Sequence, residues 1–212
     1  MIQRILKSLI FIASLQGVLV QAQQFLEPCT TYDFSRKYEE RVASLTQGAM
    51  PGKYEFGVMV IPSFTPEWGV GISKEKESIF LSYVVLNKSL WGASWVKAGS
   101  NLKQMDFSTI EILPKKVTVQ INQAIYDGLR AEWERSISSN RASQFGGLDG
   151  TTYNFKLLGQ CGKAWSPKPE TRNGKLVELV NELQKLASTT EDGELTTREV
   201  HVADILHELS AP

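Results

Sequence analysis

The sequence predicts an α+β fold: an antiparallel sheet with two or three amphipathic helices packed on one face. Three observations predict it. A block of β-rich segments runs from Tyr54 to Leu86, an i, i+4 stripe of apolar residues follows Pro114, and a late strand from Tyr153 leads on to a leucine-rich helix. Strands in a block, then helices with one late strand, is the order of a segregated α+β architecture. Nothing alternates regularly enough for a doubly wound sheet.

In chain order, Tyr32 to Leu45 reads as a short helix, because Phe34, Tyr38, Val42 and Leu45 recur at helical spacing with charges between them. Gly48, Pro51 and Gly52 end it. The period then changes to two. Tyr54 to Ile61 is bounded by Pro62, Trp68 to Ser73 is glycine-spaced, and Ser78 to Leu86 is the clearest strand of the chain. The charged run Lys74 to Glu77 joins the last two as a hairpin or meander, and Gly69-Val70-Gly71 reads as a bulge. Trp91 to Val96 suggests a further short strand, and Thr109 to Leu113 an edge segment interrupted by Pro114. Val117, Ile121, Ile125, Leu129, Trp133 and Ile137 then form the apolar stripe of the longest helix. After the strand Tyr153 to Leu158 comes a second amphipathic helix, Leu176 to Leu186. Thr189 to Glu194 is a polar break, and Thr196 to Leu209 is a candidate terminal helix with Val200, Ala203, Leu206 and Leu209 on one side.

The first 22 residues have the secretory pattern. Arg4 and Lys7 make a positive start, Ser8 to Val20 is uncharged and mostly apolar, and Val20-Gln21-Ala22 offers small residues where a signal peptidase reads. The organisation expected is therefore a signal peptide over 1–22, one α+β domain over 23–188, and a polar break with a terminal helix over 189–212. Removing Arg4 and Lys7 from the balanced 23 basic and 23 acidic residues leaves about two negative charges, so nothing favours nucleic acid as a partner. No later stretch is apolar enough to span a membrane. In an oxidising periplasmic or secreted location the two cysteines, Cys29 and Cys161, pair most simply as a disulfide.

One stretch, QFGGLDGTTYNF from Gln144 to Phe155, invites a chemical reading. A phosphatase-like D-G-T loop needs a nucleophilic aspartate two residues before Asp149, and Gly147 stands there. A calcium loop needs oxygen ligands at alternating positions, and Gly146, Gly147 and Leu148 supply none. What remains is a turn that launches a strand, with Asp-Gly supplying the backbone freedom. His201 and His207 lie six apart, not at the three or four that brings two ligands to one helix face, so no metal and no cofactor is expected.

The order L-D-G-T-T-Y-N-F, Leu148 to Phe155, then W-S-P at Trp165 to Pro167, then the leucine-rich helix resembles a family of small secreted bacterial proteins of uncharacterised function. The resemblance implies a bacterial secreted location and places Asp149 and Trp165 in one structural neighbourhood. It brings no activity with it. Candidate binding residues are accordingly Asp149, Thr151, Tyr153 and Trp165, with no catalytic set. Trp68, Trp91 and Trp95 crowd the strand-rich half, either as core lids or as an exposed patch for a protein or glycan.

The functional expectation is an exported, non-enzymatic protein that binds another macromolecule, a protein or an envelope component, in an inhibitor, immunity or envelope-associated role. Two alternatives stand beside it. One is a carboxylate-dependent hydrolase of envelope substrates pairing Asp149 with Glu132 or Glu134. The other is a carrier with an apolar cavity beneath the tryptophans.

Overall fold

The computed structural model describes residues 24–29, 33–99, 101, 104–142 and 149–211. The secretory segment expected over 1–22 lies outside them, as do residues 144–148 of the stretch that holds D-G-T. Among the described residues, seven strands form one fully antiparallel sheet: β1 (Glu27–Pro28), β2 (Lys53–Pro62), β3 (Trp68–Glu75), β4 (Ser78–Leu86), β5 (Pro114–Gln120), β6 (Thr151–Leu157) and β7 (Gln160–Trp165). Their order is β1-β7-β6-β2-β3-β4-β5. Among the described residues there are five helices: α1 (Asp33–Gln47), α2 (Leu90–Lys97), α3 (Gln123–Ser138), α4 (Arg172–Ser188) and α5 (Asp192–Ser210). The α+β architecture with an antiparallel sheet is the one expected, but the helices number five and they cover both faces.

The reason lies in the strands. Successive side chains of β2 point to opposite faces, and both sets are apolar. Phe56, Val58 and Val60 join Val70, Ile72, Leu81 and Phe155 in a core roofed by α3, α4 and α5. Met59 and Leu86 point the other way, into a second core with Tyr38 and Val42 of α1, Leu90 of α2, and Phe107, Ile110 and Ile112. A sheet that is apolar on both faces buries both.

Several local expectations are corrected. Trp91 to Val96 is helical, not a strand. Ser89 caps α2 by accepting from the Gly92 N–H at 3.0 Å, and the buried Glu67 carboxylate accepts from the Leu90 and Trp91 N–H groups at 2.9 and 3.2 Å. A carboxylate from a distant loop thus stabilises helix where side-chain alternation favoured a strand. Val117 does not begin the long helix. It lies in β5, and α3 starts after Asn122, whose side chain accepts from the Ile125 N–H. Thr109 to Leu113 forms no strand; Ile110 and Ile112 are buried in the α1 face core instead.

Gly69 and Gly71 are regularly paired, and the register irregularity of β2–β3 falls between Tyr54 and Phe56. The glycines lie under α1 and the turn that follows it. A Cβ on Gly71 would come within 2.6 Å of the Met50 sulfur, and one on Gly69 would touch the Thr46 side chain at 3.4 Å. In α5 the inward residues are Val202, Ile205 and Leu209, whereas Val200 is exposed and Ala203 faces solvent. The helix also begins inside the expected polar break, at Asp192, and packs on α3 and α4.

α4 and α5 are joined by Glu182, which accepts from Arg198 at 3.2 Å and from Lys185 at 2.6 Å. Burial would raise the Glu182 carboxyl, but the hydrogen bonds and charges of Lys185 and Arg198 outweigh it and hold the group below the usual carboxylate range. A depressed folded value contributes stability above the ordinary carboxylate pKa and loses it as pH falls through the depressed one. Glu182→Gln is therefore expected to reduce stability by at most about 1 kcal/mol at neutral pH and to flatten the acid limb of a Tm-against-pH profile.

Candidate functional site

The sequence-derived residues meet at one end of the sheet, where the β2–β3 turn, the start of β6 and the end of β7 come together. Ser63 knits them. Its N–H donates to the Gly150 carbonyl at 2.9 Å, its Oγ donates to the same carbonyl at 2.8 Å, and the Gly150 N–H donates back to Ser63 Oγ at 2.9 Å. Ser166 closes the other side, accepting from the Thr151 N–H at 2.8 Å and donating its own N–H to the Thr151 carbonyl at 2.9 Å. Gly150 has to be glycine here. A Cβ would stand 2.5 Å from Ser166 Oγ and 2.8 Å from the Trp165 ring.

Asp149 is exposed at this end, and Thr151 and Trp165 are half-buried beside it. Tyr153 separates from them. It pairs with Val60 and Ala164, and its ring packs on the α3–α5 core. The structure adds Phe64, which is 80% exposed between Pro62 and Pro66 in the turn that Ser63 anchors. In the sequence Phe64 belongs with Trp68, Trp91 and Trp95 to the aromatic group of the strand-rich half, read either as core lids or as an exposed patch. The signal that sets it apart is a single aromatic in a proline-bounded turn, where no alternating face can bury it.

The carboxylates do not gather. Glu132 is 1% exposed and ion-paired with Arg172 of α4 and Arg135 of its own helix, and Ser136 Oγ donates to it at 2.6 Å. Burial raises its pKa, against the pull of Ser136, Arg172 and Arg135. Both arginines also donate to the Leu209 carbonyl, so this acid ties α3 to α4 and to the end of α5. Glu134 is exposed and pairs with Arg130 at 3.0 Å. The buried Glu67 accepts from Tyr38 Oη at 2.5 Å while capping α2, and burial beside that carboxylate drives the Tyr38 phenol strongly upward. Glu132 and Glu67 are thus engaged in holding elements together, and Glu134 pairs within its own helix.

Trp68 and Trp91 divide between the two cores, and Trp95 belongs to neither. Trp68 meets Tyr83 edge-on at 5.7 Å on the α3–α5 face, and Trp91 packs on Tyr38 and Phe107 on the other. Beneath the sheet centre the space bounded by Phe56, Leu129 and Trp133 amounts to about 10 Å³, which is no ligand cavity. Among the described residues, no cluster of three or more His, Cys, Asp or Glu side chains is placed to hold a metal ion, and no helix is long and apolar enough to cross a membrane. Cys29 and Cys161 are joined as a disulfide, their Cα atoms 5.8 Å apart.

Fold and site together define a disulfide-bonded α+β protein whose exposed sheet end presents an aromatic and an acidic side chain. No family model matches the chain, and neither a curated protein nor a solved structure matches it.

Proposed function

We propose that this is an exported, non-enzymatic protein, periplasmic or secreted, that binds another macromolecule in an inhibitor, immunity or envelope-associated role. The observation that carries the reading is Phe64. A large aromatic side chain left 80% exposed gains nothing for the fold, yet its turn is held rigid by the Ser63–Gly150 hydrogen bonds. A preorganised, exposed aromatic side chain is the kind of residue enriched at protein interfaces, and its fixed turn lowers the ordering cost of binding. The disulfide supports an oxidising location.

The test compares capture from envelope extract by the wild-type chain, Phe64→Ala and Val200→Ala, the last being an exposed position on α5. A partner retained by the wild type and by Val200→Ala, and lost at least about tenfold by Phe64→Ala with unchanged Tm, is the expected result. Equal retention by all three, or no specific retention at all, removes the reading.

A further inference from the structure

The two edges of the sheet are finished differently. At one edge β1 is only two residues long and ends in Pro28. At the other, β5 runs for seven residues with β4 on one side and no described strand on the other. The pairing determines which backbone groups stay open. The Asn87 N–H donates to the Leu113 carbonyl at 3.2 Å and the Ile121 N–H to the Ile79 carbonyl at 3.0 Å, and these two pairs bracket the ladder. Alternation then turns the amides and carbonyls of Lys115, Val117 and Val119 toward β4 and those of Lys116, Thr118 and Gln120 outward.

The side chains of this edge are as open as its backbone. Every residue of β5 except Val119 is exposed. Val117 and Leu113, just ahead of the strand, are large apolar residues that are 43% and 61% exposed. Lys115 and Lys116 form no ion pair with any described residue, whereas the ion pairs of the described residues all join helix positions. Lysines on an open edge oppose pairing with a copy of the same strand. β5 contains no acid, so a second copy would bring a further pair of lysines to the joint and nothing to neutralise them. The same two charges admit an acidic strand.

We propose that β5 is a docking edge for an extended acidic segment of a partner protein, which adds to the sheet as a further antiparallel strand. Its backbone accepts from the N–H groups of Lys116, Thr118 and Gln120 and donates to the carbonyls of the same residues. Lys115 and Lys116 point to opposite faces of the strand, so two adjacent acids in the incoming segment meet one lysine each. β-Branched residues opposite Val117 and Val119 continue the apolar surface beside α4, which packs over β4 and β5. The edge is separate from the Phe64 turn, which joins β2 to β3 inside the sheet order, and its test does not depend on that reading.

The disulfide-bonded protein, labelled with ¹⁵N, is titrated with the peptide acetyl-Thr-Val-Thr-Val-Glu-Glu-Thr-amide. Two controls are the same peptide with lysine for both glutamates, and the acidic peptide N-methylated at its middle threonine, which loses a pairing N–H at unchanged charge. In the free protein the amides of Lys115, Val117 and Val119 are expected to exchange slowly and those of Lys116, Thr118 and Gln120 fast. The acidic peptide is expected to bind saturably and to slow exchange at Lys116, Thr118 and Gln120. Each control is expected to bind at least about tenfold more weakly. Lys115→Glu combined with Lys116→Glu, both at exposed positions, is expected to reverse the preference between acidic and basic peptides. The wild-type peptide series decides the matter even where that variant does not fold. Four results would each overturn the proposal: no saturable binding of the acidic peptide up to about 1 mM, equal binding of either control, an unreversed preference in a folded double variant, or slow exchange of the outward amides in a concentration-dependent dimer, which would put a second copy on the edge.

Discussion

Trp133→Ala is expected to lower the unfolding free energy by about 4–5 kcal/mol, the upper end of what large-to-small core substitutions cost. Trp133 is 2% exposed at the centre of α3 and sits between Phe56 at 5.8 Å and Phe155 at 5.4 Å, both in the sheet beneath it. Its indole N–H donates to the Gly57 carbonyl at 3.0 Å, an interaction that spans helix and sheet. Truncation therefore opens a cavity walled by rigid β-strands and leaves a buried carbonyl without its donor. The two contributions separate experimentally. Trp133→Phe keeps most of the volume and loses the hydrogen bond, so it should cost about 1–2 kcal/mol. Urea titration monitored by circular dichroism measures both. A loss under about 2 kcal/mol for Trp133→Ala would mean that the core collapses around the gap, and that α3 is not clamped to β2 as described.

That same helix shows how far the sequence could be read. Ile125, Leu129, Trp133 and Ile137 form one apolar stripe and all four are buried against the sheet, because an i, i+4 pattern has a local cause. Val117 continues the spacing by coincidence and belongs to a strand. What decides it is Asn122, which caps the helix five residues later, and the pairing of Val117 with Tyr83 across a long connection. α2 was unreadable for a similar reason. Its N-terminal anchor is Glu67, more than twenty residues upstream, and no window around Trp91 contains it.

The candidate site was legible in part. Asp149 and Trp165 do share a neighbourhood, since β6 and β7 form a hairpin with Thr152 opposite Trp165. Tyr153 left the group because it lies further along β6, opposite Ala164 and Val60, where its ring packs on the α3–α5 core. Asn154 is buried although one polar residue in an alternating Tyr-Asn-Phe-Lys run reads as part of a solvent face. Its burial depends on α1, which the sequence places but cannot dock.

Replacing both cysteines, Cys29→Ser with Cys161→Ser, is expected to lower stability by about 3–5 kcal/mol, since the bridge closes a loop of 132 residues. The native structure has other means of holding this end in place. Leu26 is 1% exposed and covers Gly162, its carbonyl accepts from the Arg141 N–H at 2.8 Å, and Asn173 Nδ2 donates to the Phe25 carbonyl at 2.8 Å. If the bridge acts on the unfolded chain, the variant keeps the native pairing of β1 with β7 and unfolds with a larger dependence on urea, because its denatured state is less compact. If it acts on the native state, β1 detaches and those β7 amides that face it lose the protection of a paired strand. The geometry favours the first outcome for the sheet, with a local loosening where α1 begins. Cys29 lies four residues before α1 begins, and the bridge joins it covalently to Cys161 of β7. Loss of the disulfide should therefore leave the sheet intact and widen the space between Glu39 and Lys156. Amide exchange measured on the wild type and the double variant distinguishes the two: protection should persist in β6 and β7 and fall in the first turns of α1. Equal protection of α1 in both proteins would show that packing on Met59 and Leu86 alone positions the helix.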